Sequence, residues 1–324
     1  MANEILKPEK WASAALGLLE NERVLSGLVG RDSGAEFVGA EGDAVNIKRP
    51  AILSGTREAL RDMDADPDGS SPYAGIQSEA LKERSIQVKL TDHVYSAVDL
   101  TDAELSLDIT DFGAQVLSPQ SKAIADRVEA MIAQKLNGLT AEEKTVPGPE
   151  GVRAEIVALR KTLNKRNVPA TGRILVVGVD VEELILNDPQ FVRVDQSGSD
   201  SALRAAEIGR VAGFRVVVSN IVQDNRMVAM HPSAYTLVTR APRVPEGAVR
   251  GESTAFGGVA MRAIKDYNSV TAKDRSFLST FAGVGETTDP KITYAADGSK
   301  TVSDTMTMLR AVAVTVTVEE APSS

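Results

Sequence analysis

The sequence predicts an α+β protein with a compact body and a projecting arm. Three observations carry that expectation. From Leu117 to Gly138 the apolar residues recur at three, four and seven, the period of one long helix. From Ser54 to Glu83 the chain is charged and aperiodic, yet strand-like segments bound it. From about residue 150 to 239, short apolar runs and helical segments mix in one block.

The elements follow in order. Pro8 suits a first helical turn, and Trp11, Ala15, Leu18, Leu25 and Val29 continue a wide apolar stripe, predicting a helix over 8–29. Glycines then break the pattern. Val45 and Ile47 alternate in a short strand over 44–49, and Ile86, Val88 and Leu90 alternate with Gln87 and Lys89 in another over 85–91. Together they read as a long two-stranded arm. Thr101 to Glu104 has the form of a capping box. Ser118-Pro119 implies either a kink or a fresh start capped by Ser118. Residues 140–151, rich in Glu, Pro and Gly, read as a linker. Beyond it lie a helix through Val152, Ile156, Leu159 and Leu163, and a fully buried strand over 174–177. A capping box over Asp180–Glu183 opens another helix, and 201–206 reads as a short one. A second buried strand over 214–218, a third over 227–230 and an alternating segment over 259–267 follow. An edge-like Thr/Val strand over 309–318 closes the chain.

Composition narrows the function. Acidic residues number 45 against 36 basic ones, and the net charge of −9 disfavours broad binding to nucleic acid or to anionic membrane. The absence of Cys excludes disulfides, thiolate nucleophiles and Cys-ligated metals. Only His93 and His231 could serve a relay or a metal, and neither has a partner at a telling spacing. No stretch approaches the roughly 20 apolar residues of a membrane helix. Near the start, Lys7, Glu9 and Lys10 leave no room for a signal-peptide core. The expectation is a cytosolic, soluble, non-enzymatic protein without cofactor or metal.

Two motifs bear on this. ILVVGVDVEE offers only Gly178 for a phosphate cradle, and Asp180 would repel a pyrophosphate, so it reads as a core strand. Asp64, Asp66, Asp68 and Gly69 mimic the opening of a calcium loop. The bidentate Glu, however, would fall on Gly75, and Pro67 and Pro72 interrupt, so the segment reads as a solvated arm tip. An arm without a core of its own points to assembly; a flexible loop on a monomer stays open on these residues alone.

The order of elements resembles the major capsid proteins of tailed bacteriophages, whose Hong Kong-type capsid fold encapsulin shells share. LKPEKWASAALGLLENERVLSGLVGRD and GDAVNIKRPA resemble the N-terminal arm and following strand of coat proteins from phages of actinobacteria. Residues 208–220, with Gly209, Gly213, Val216 and Ser219, are similar to a family strand region. AMHPSAY (229–235) and RAIKDYN (262–268) fit its closing strands. The resemblance spans about residues 1–285. It implies an N-terminal arm over 1–49, an extended loop over 50–91, and a peripheral domain over 92–149 with spine helix 117–138. It further implies an axial domain over 150–239 and a peripheral return over 240–289; the C-terminal extension over 290–324 lies beyond the resemblance and reads as a small surface element.

The implied role is a virion shell of pentamers and hexamers, assembled in the host bacterial cytoplasm around double-stranded DNA that is bound without sequence preference. No long charged helical region precedes the arm, implying a separate scaffolding protein beside a portal. Arg57, Arg61, Lys82 and Arg84 are the candidates for inter-subunit ion pairs. Lys82, Lys89 and Asn268 have the residue types some relatives crosslink, but no crosslink is predicted. The alternatives are an encapsulin-like compartment and, further off, a small α/β enzyme with a mobile lid that binds a ligand near Gly178.

Overall fold

The computed structural model describes residues 25–32, 44–49, 51–55, 78–81, 83–101, 112–188, 209–248, 250–256, 259–268, 270, 273–296 and 299–319. A 3-10 turn, Leu25–Gly27, leads to β1 (Gly30–Asp32), β2 (Ala44–Arg49), β3 (Arg84–Lys89) and β4 (Asp92–Thr101). The long helix α1 (Ser118–Gly138) is followed by β5 (Ala141–Val146), α2 (Pro149–Lys165), β6 (Ile174–Val177) and α3 (Val179–Leu186). Then come β7 (Arg210–Val211), β8 (Phe214–Val218), β9 (Arg226–Met230) and β10 (Tyr235–Arg240). The chain closes with β11 (Arg250–Phe256), β12 (Val259–Asn268), β13 (Lys273–Glu286), β14 (Asp289–Tyr294), β15 (Lys300–Thr307) and β16 (Ala311–Val318).

The strands form two six-stranded sheets and two hairpins. The first sheet runs β1-β10-β13-β12-β11, with β4 also paired to the long β13. The second runs β5-β16-β9-β6-β8-β7. Residues 150–239, expected as one block, supply four strands of this second sheet; β5 and β16 come from outside that range, and β10 inside it joins the first sheet.

Burial on both faces explains the unbroken apolar run of β6. Ile174 and Val176 face a core with Val128, Ile132 and Leu136 of α1, while Leu175 and Val177 face α2 and α3 through Ile156, Leu159 and Ile185. The N-terminal half of α1 lies on the first sheet instead, where Ile124 and Ala125 meet Val94, Leu278 and Ala282. One helix of about 31 Å thus spans both sheets. Buried Gln120 knits it to the first: its amide donates to Ser276 O at 3.0 Å and Ser96 O at 3.2 Å, and accepts from Ser276 Oγ at 2.7 Å.

Several expectations need correction. Ser118 does not cap a fresh start. A π-wound stretch, Gly113–Leu117, runs straight into α1, and Ser118 N–H donates to Gly113 O. The wider turn accommodates Pro119, which has no N–H to give. α3 is capped by Gly178, not by a box at Asp180: the Asp224 carbonyl accepts from Asp180 N and Val181 N. The linker over 140–151 contains β5, which pairs in parallel with β16 and buries only Val146, so its own pattern gives no strand signal. β16 is no edge. It lies between β5 and β9, with Ala311, Ala313, Val314 and Val316 buried. In β8 only Phe214 is buried, because two-residue β7 is its outer neighbour. Thr101 ends β4, and the rest of the expected capping box, 102–104, lies outside the described residues. The helix expected over 8–29 lies outside the described residues up to 24, and its last residues hold the 3-10 turn Leu25–Gly27 instead; the helix expected over 201–206, the arm tip with its aspartates, and Pro50 also lie outside the described residues.

Tyr235 is fully buried, and its hydroxyl makes no hydrogen bond among the described residues. Burial pushes the phenol well above its ordinary range. Removing an unsatisfied buried hydroxyl relieves a desolvation cost, so Tyr235→Phe is expected to match or exceed wild-type stability, by up to about 1 kcal/mol. Thermal melts check this; a loss of that size contradicts it.

Candidate assembly surface

The arm begins as the β2–β3 ladder, antiparallel from Ala44 opposite Lys89 to Arg49 opposite Arg84. Alternation in β3 works as its sequence implies: Val88 is buried, Ile86 is half-buried, and Ser85, Gln87 and Lys89 are exposed. What Val88 packs on comes from far along the chain. It meets Val238 and the strip of β13 that carries Gly283 and Gly285. A Cβ on Gly285 would overlap the Val88 side chain, and one on Gly283 would overlap the Lys89 carbonyl oxygen. Thr91 N–H also donates to Ala282 O at 3.2 Å. Two glycines at alternate positions of a strand therefore make the groove that seats the root of the arm. Sequence reading missed this groove, although Gly-x-Gly inside a strand is a signal of close backbone approach.

Beside the root, the same face carries four rings. His93 lies 5.0 Å from Phe281 and 5.4 Å from Tyr95, and Tyr95 lies 5.7 Å from Phe277. Arg262 covers Phe277 at 5.5 Å from its centroid. Tyr95 remains 62% exposed. Tyr95 shares β4 with His93, whereas Phe277 and Phe281 come from β13, far along the chain.

Where the chain passes between the sheets, four polar residues converge. His231 Nδ1 accepts from Ser233 N at 3.2 Å and lies 2.8 Å from Ser233 Oγ. Arg310 donates to Ser233 Oγ and to the Asp289 carboxylate. Burial, then Arg310 and Arg173, lower the His231 pKa from its ordinary 6.5, against a raising hydrogen bond to the Thr171 backbone. Burial, then Arg262, likewise lower that of His93. A depressed histidine favours the neutral form in the fold, so its contribution is intact above pH 6.5 and is lost as pH falls below it. The melting temperature is expected to fall from pH 6.5 to about 5.5, and to fall less in His231→Asn, which keeps an acceptor for Ser233 N. Equal falls in both proteins contradict the assignment.

Of the four ion-pair candidates, Arg57, Arg61 and Lys82 lie outside the described residues. Arg84 opens β3, roughly 17 Å along the strand from Lys89, at the end of the ladder away from the glycine groove. Lys89 sits at the root, and Asn268 ends β12 opposite Lys273. The phosphate position at Gly178 is taken: a Cβ there would overlap the Gln223 and Asp224 carbonyls, and Asp224 O already holds the helix N–H groups. Among the described residues no group of three His, Asp or Glu could hold a metal ion. No described helix is long and apolar enough to cross a membrane.

No family model matches the sequence, and no curated protein matches it. Solved structures do. One from Mycobacterium phage Che8 has 18% identity, covers 90% of this chain and 90% of its own, and superposes with a TM-score of 0.59. The capsid structure of the cyanophage P-SCSP1u has 11% identity over 86% of this chain and 85% of its own, with a TM-score of 0.55. The mature capsid of bacteriophage PhiM1 has 16% identity over 87% and 83%, with a TM-score of 0.53.

Proposed function

We propose, from the Hong Kong-type capsid fold that this chain has, that it is the major capsid protein of a tailed bacteriophage. Many copies form an icosahedral shell around double-stranded DNA, and the role is structural, without catalysis. The observation that carries this reading is near end-to-end agreement with two capsid structures, over 86% and 87% of this chain and 85% and 83% of theirs, and with a mycobacteriophage structure over 90% of both chains. The arm supports it. Residues 50–91 are the extended loop, rooted on the glycine groove and reaching a neighbouring copy. The first sheet and α1 form a peripheral domain, and the second sheet forms the axial domain at the local symmetry axis. Shell contacts are individually weak and collectively strong, because each copy is held by many others. The exposed aromatic stripe has the residue types that interfaces concentrate. A net charge of −9 suits a wall along which DNA slides during packaging. Assembly takes place in the host cytoplasm with a separate scaffolding protein and a portal.

Co-expression with a scaffolding protein followed by gradient sedimentation tests the reading: a fast-sedimenting uniform species is expected. Arg57, Arg61, Lys82 and Arg84 are the proposed inter-subunit ion pairs. Reversing Arg57 and Arg61 to Glu is expected to cut the shell yield by about tenfold or more through like-charge contact. The subunit should still melt within about 2 °C of wild type. A wild-type yield from that double variant contradicts the pairs.

A further inference from the structure

The hairpin of β14 and β15 belongs to neither six-stranded sheet. Two strands alone are marginal in water, so this hairpin depends on what it packs against. Its root is pinned. Arg310, just past β15, holds the Asp289 carboxylate through two guanidinium N–H groups and also donates to Ser233 Oγ. Ser233 lies in the 3-10 turn that carries the chain from β9 in one sheet to β10 in the other. Pro290, next to Asp289, is buried. Toward its tip the hairpin meets the arm: Lys300 Nζ donates to the Leu53 carbonyl at 2.7 Å. The returning flank is tied in as well, because Ser54 N–H donates to Glu79 Oε2 at 2.9 Å. Ile52 and Ala80 of the two flanks, with Val302 and Met306 of the hairpin, line one open cavity of about 560 Å³.

We propose that this hairpin is an intramolecular strut that sets the direction of the arm. The line of support runs from both arm flanks through Lys300, along β14 and β15, and through Arg310 to the turn between the sheets. Leu53 and Leu81 are exposed on the flanks, so little apolar burial of their own fixes them. A change at the turn between the sheets would therefore swing the arm. Only the effect of that swing on shell assembly rests on the capsid reading; the strut is a property of the single subunit.

The chain has no cysteine, so an engineered pair reports cleanly. Leu53→Cys with Val302→Cys, in the full unassembled chain treated with a short bismaleimide, is expected to give an intramolecular crosslink. Adding Lys300→Ala or Asp289→Asn should slow it by about fivefold, with faster hydrogen exchange over 51–55 and 78–81 and none over α1. Crosslinks only between copies, or a rate unchanged in both added variants, would overturn the strut. Because the readout uses unassembled subunits, a protein that never forms shells leaves this result intact.

Discussion

Gly283→Val is expected to lift the root of the arm from the body without unfolding the body. The β-carbon of any replacement would overlap the Lys89 carbonyl oxygen and stand 2.9 Å from its carbonyl carbon and 3.1 Å from Leu90 Cα. These are backbone atoms, which cannot rotate aside, so β13 or the arm must move. β13 is held by β4, β10 and β12, whereas among the described residues the arm root meets β13 and β10 through the Thr91–Ala282 hydrogen bond and a small apolar contact. The arm yields. Overlap with a backbone oxygen exceeds the ordinary overpacking cost of about 1–3 kcal/mol, so lifting the root, at about 1.5–2 kcal/mol for exposing Val88 and about 1 kcal/mol for one lost peptide hydrogen bond, is the lower-cost response. Hydrogen exchange over 84–91 should therefore rise by at least about tenfold while α1 and β6 stay protected. Gly283→Ala should show the same direction more weakly. Gly247→Ala, where a β-carbon meets nothing, serves as the control. Unchanged protection of Val88 in Gly283→Val contradicts the groove.

Glu129→Ala is expected to release the segment that precedes β1. Glu129 is 7% exposed, and its carboxylate accepts from Leu25 N at 2.7 Å, Ser26 N at 3.1 Å and Ser26 Oγ at 2.8 Å. It thereby satisfies the orphan N–H groups of the 3-10 turn from a side chain about one hundred residues away in sequence. Truncation leaves three buried donors unpaired, at about 3–5 kcal/mol in total. Leu25, Leu28 and Val29 then leave the core beneath α1, and β1 loses its parallel pairing with β10. Glu129→Gln keeps the shape but presents one acceptor, so about half the loss is expected. Limited proteolysis should cut within 25–32 in Glu129→Ala and not in wild type. A wild-type cleavage pattern with an unchanged melting temperature contradicts the latch.

How far the fold was legible follows from where its information lies. α1, α2, β6 and β3 carry their pattern locally: Ile124, Val128, Ile132 and Leu136 share one helix face, and Ile174 to Val177 are apolar because both faces are covered. β5 has the sequence of a linker because its partner β16 lies some 170 residues away and Glu142 and Glu143 remain in water. β16 was read as an edge because Thr315 and Thr317 look solvated, yet the backbone of Thr315 is paired on both sides. β13 went unread: its serines, threonines and glycines mask a strand whose identity comes from three neighbours. The candidate surface divides in the same way. The arm strands were visible from alternation; the groove, the aromatic stripe and the Arg310 cluster were not, since each joins residues more than fifty apart.

Electron microscopy of negatively stained particles, purified after co-expression with a scaffolding protein, tests the central claim most directly. Uniform closed shells tens of nanometres across, with subunit clusters of five and six, are the predicted result. A monomer or small oligomer in every preparation, with no closed particle, would contradict it.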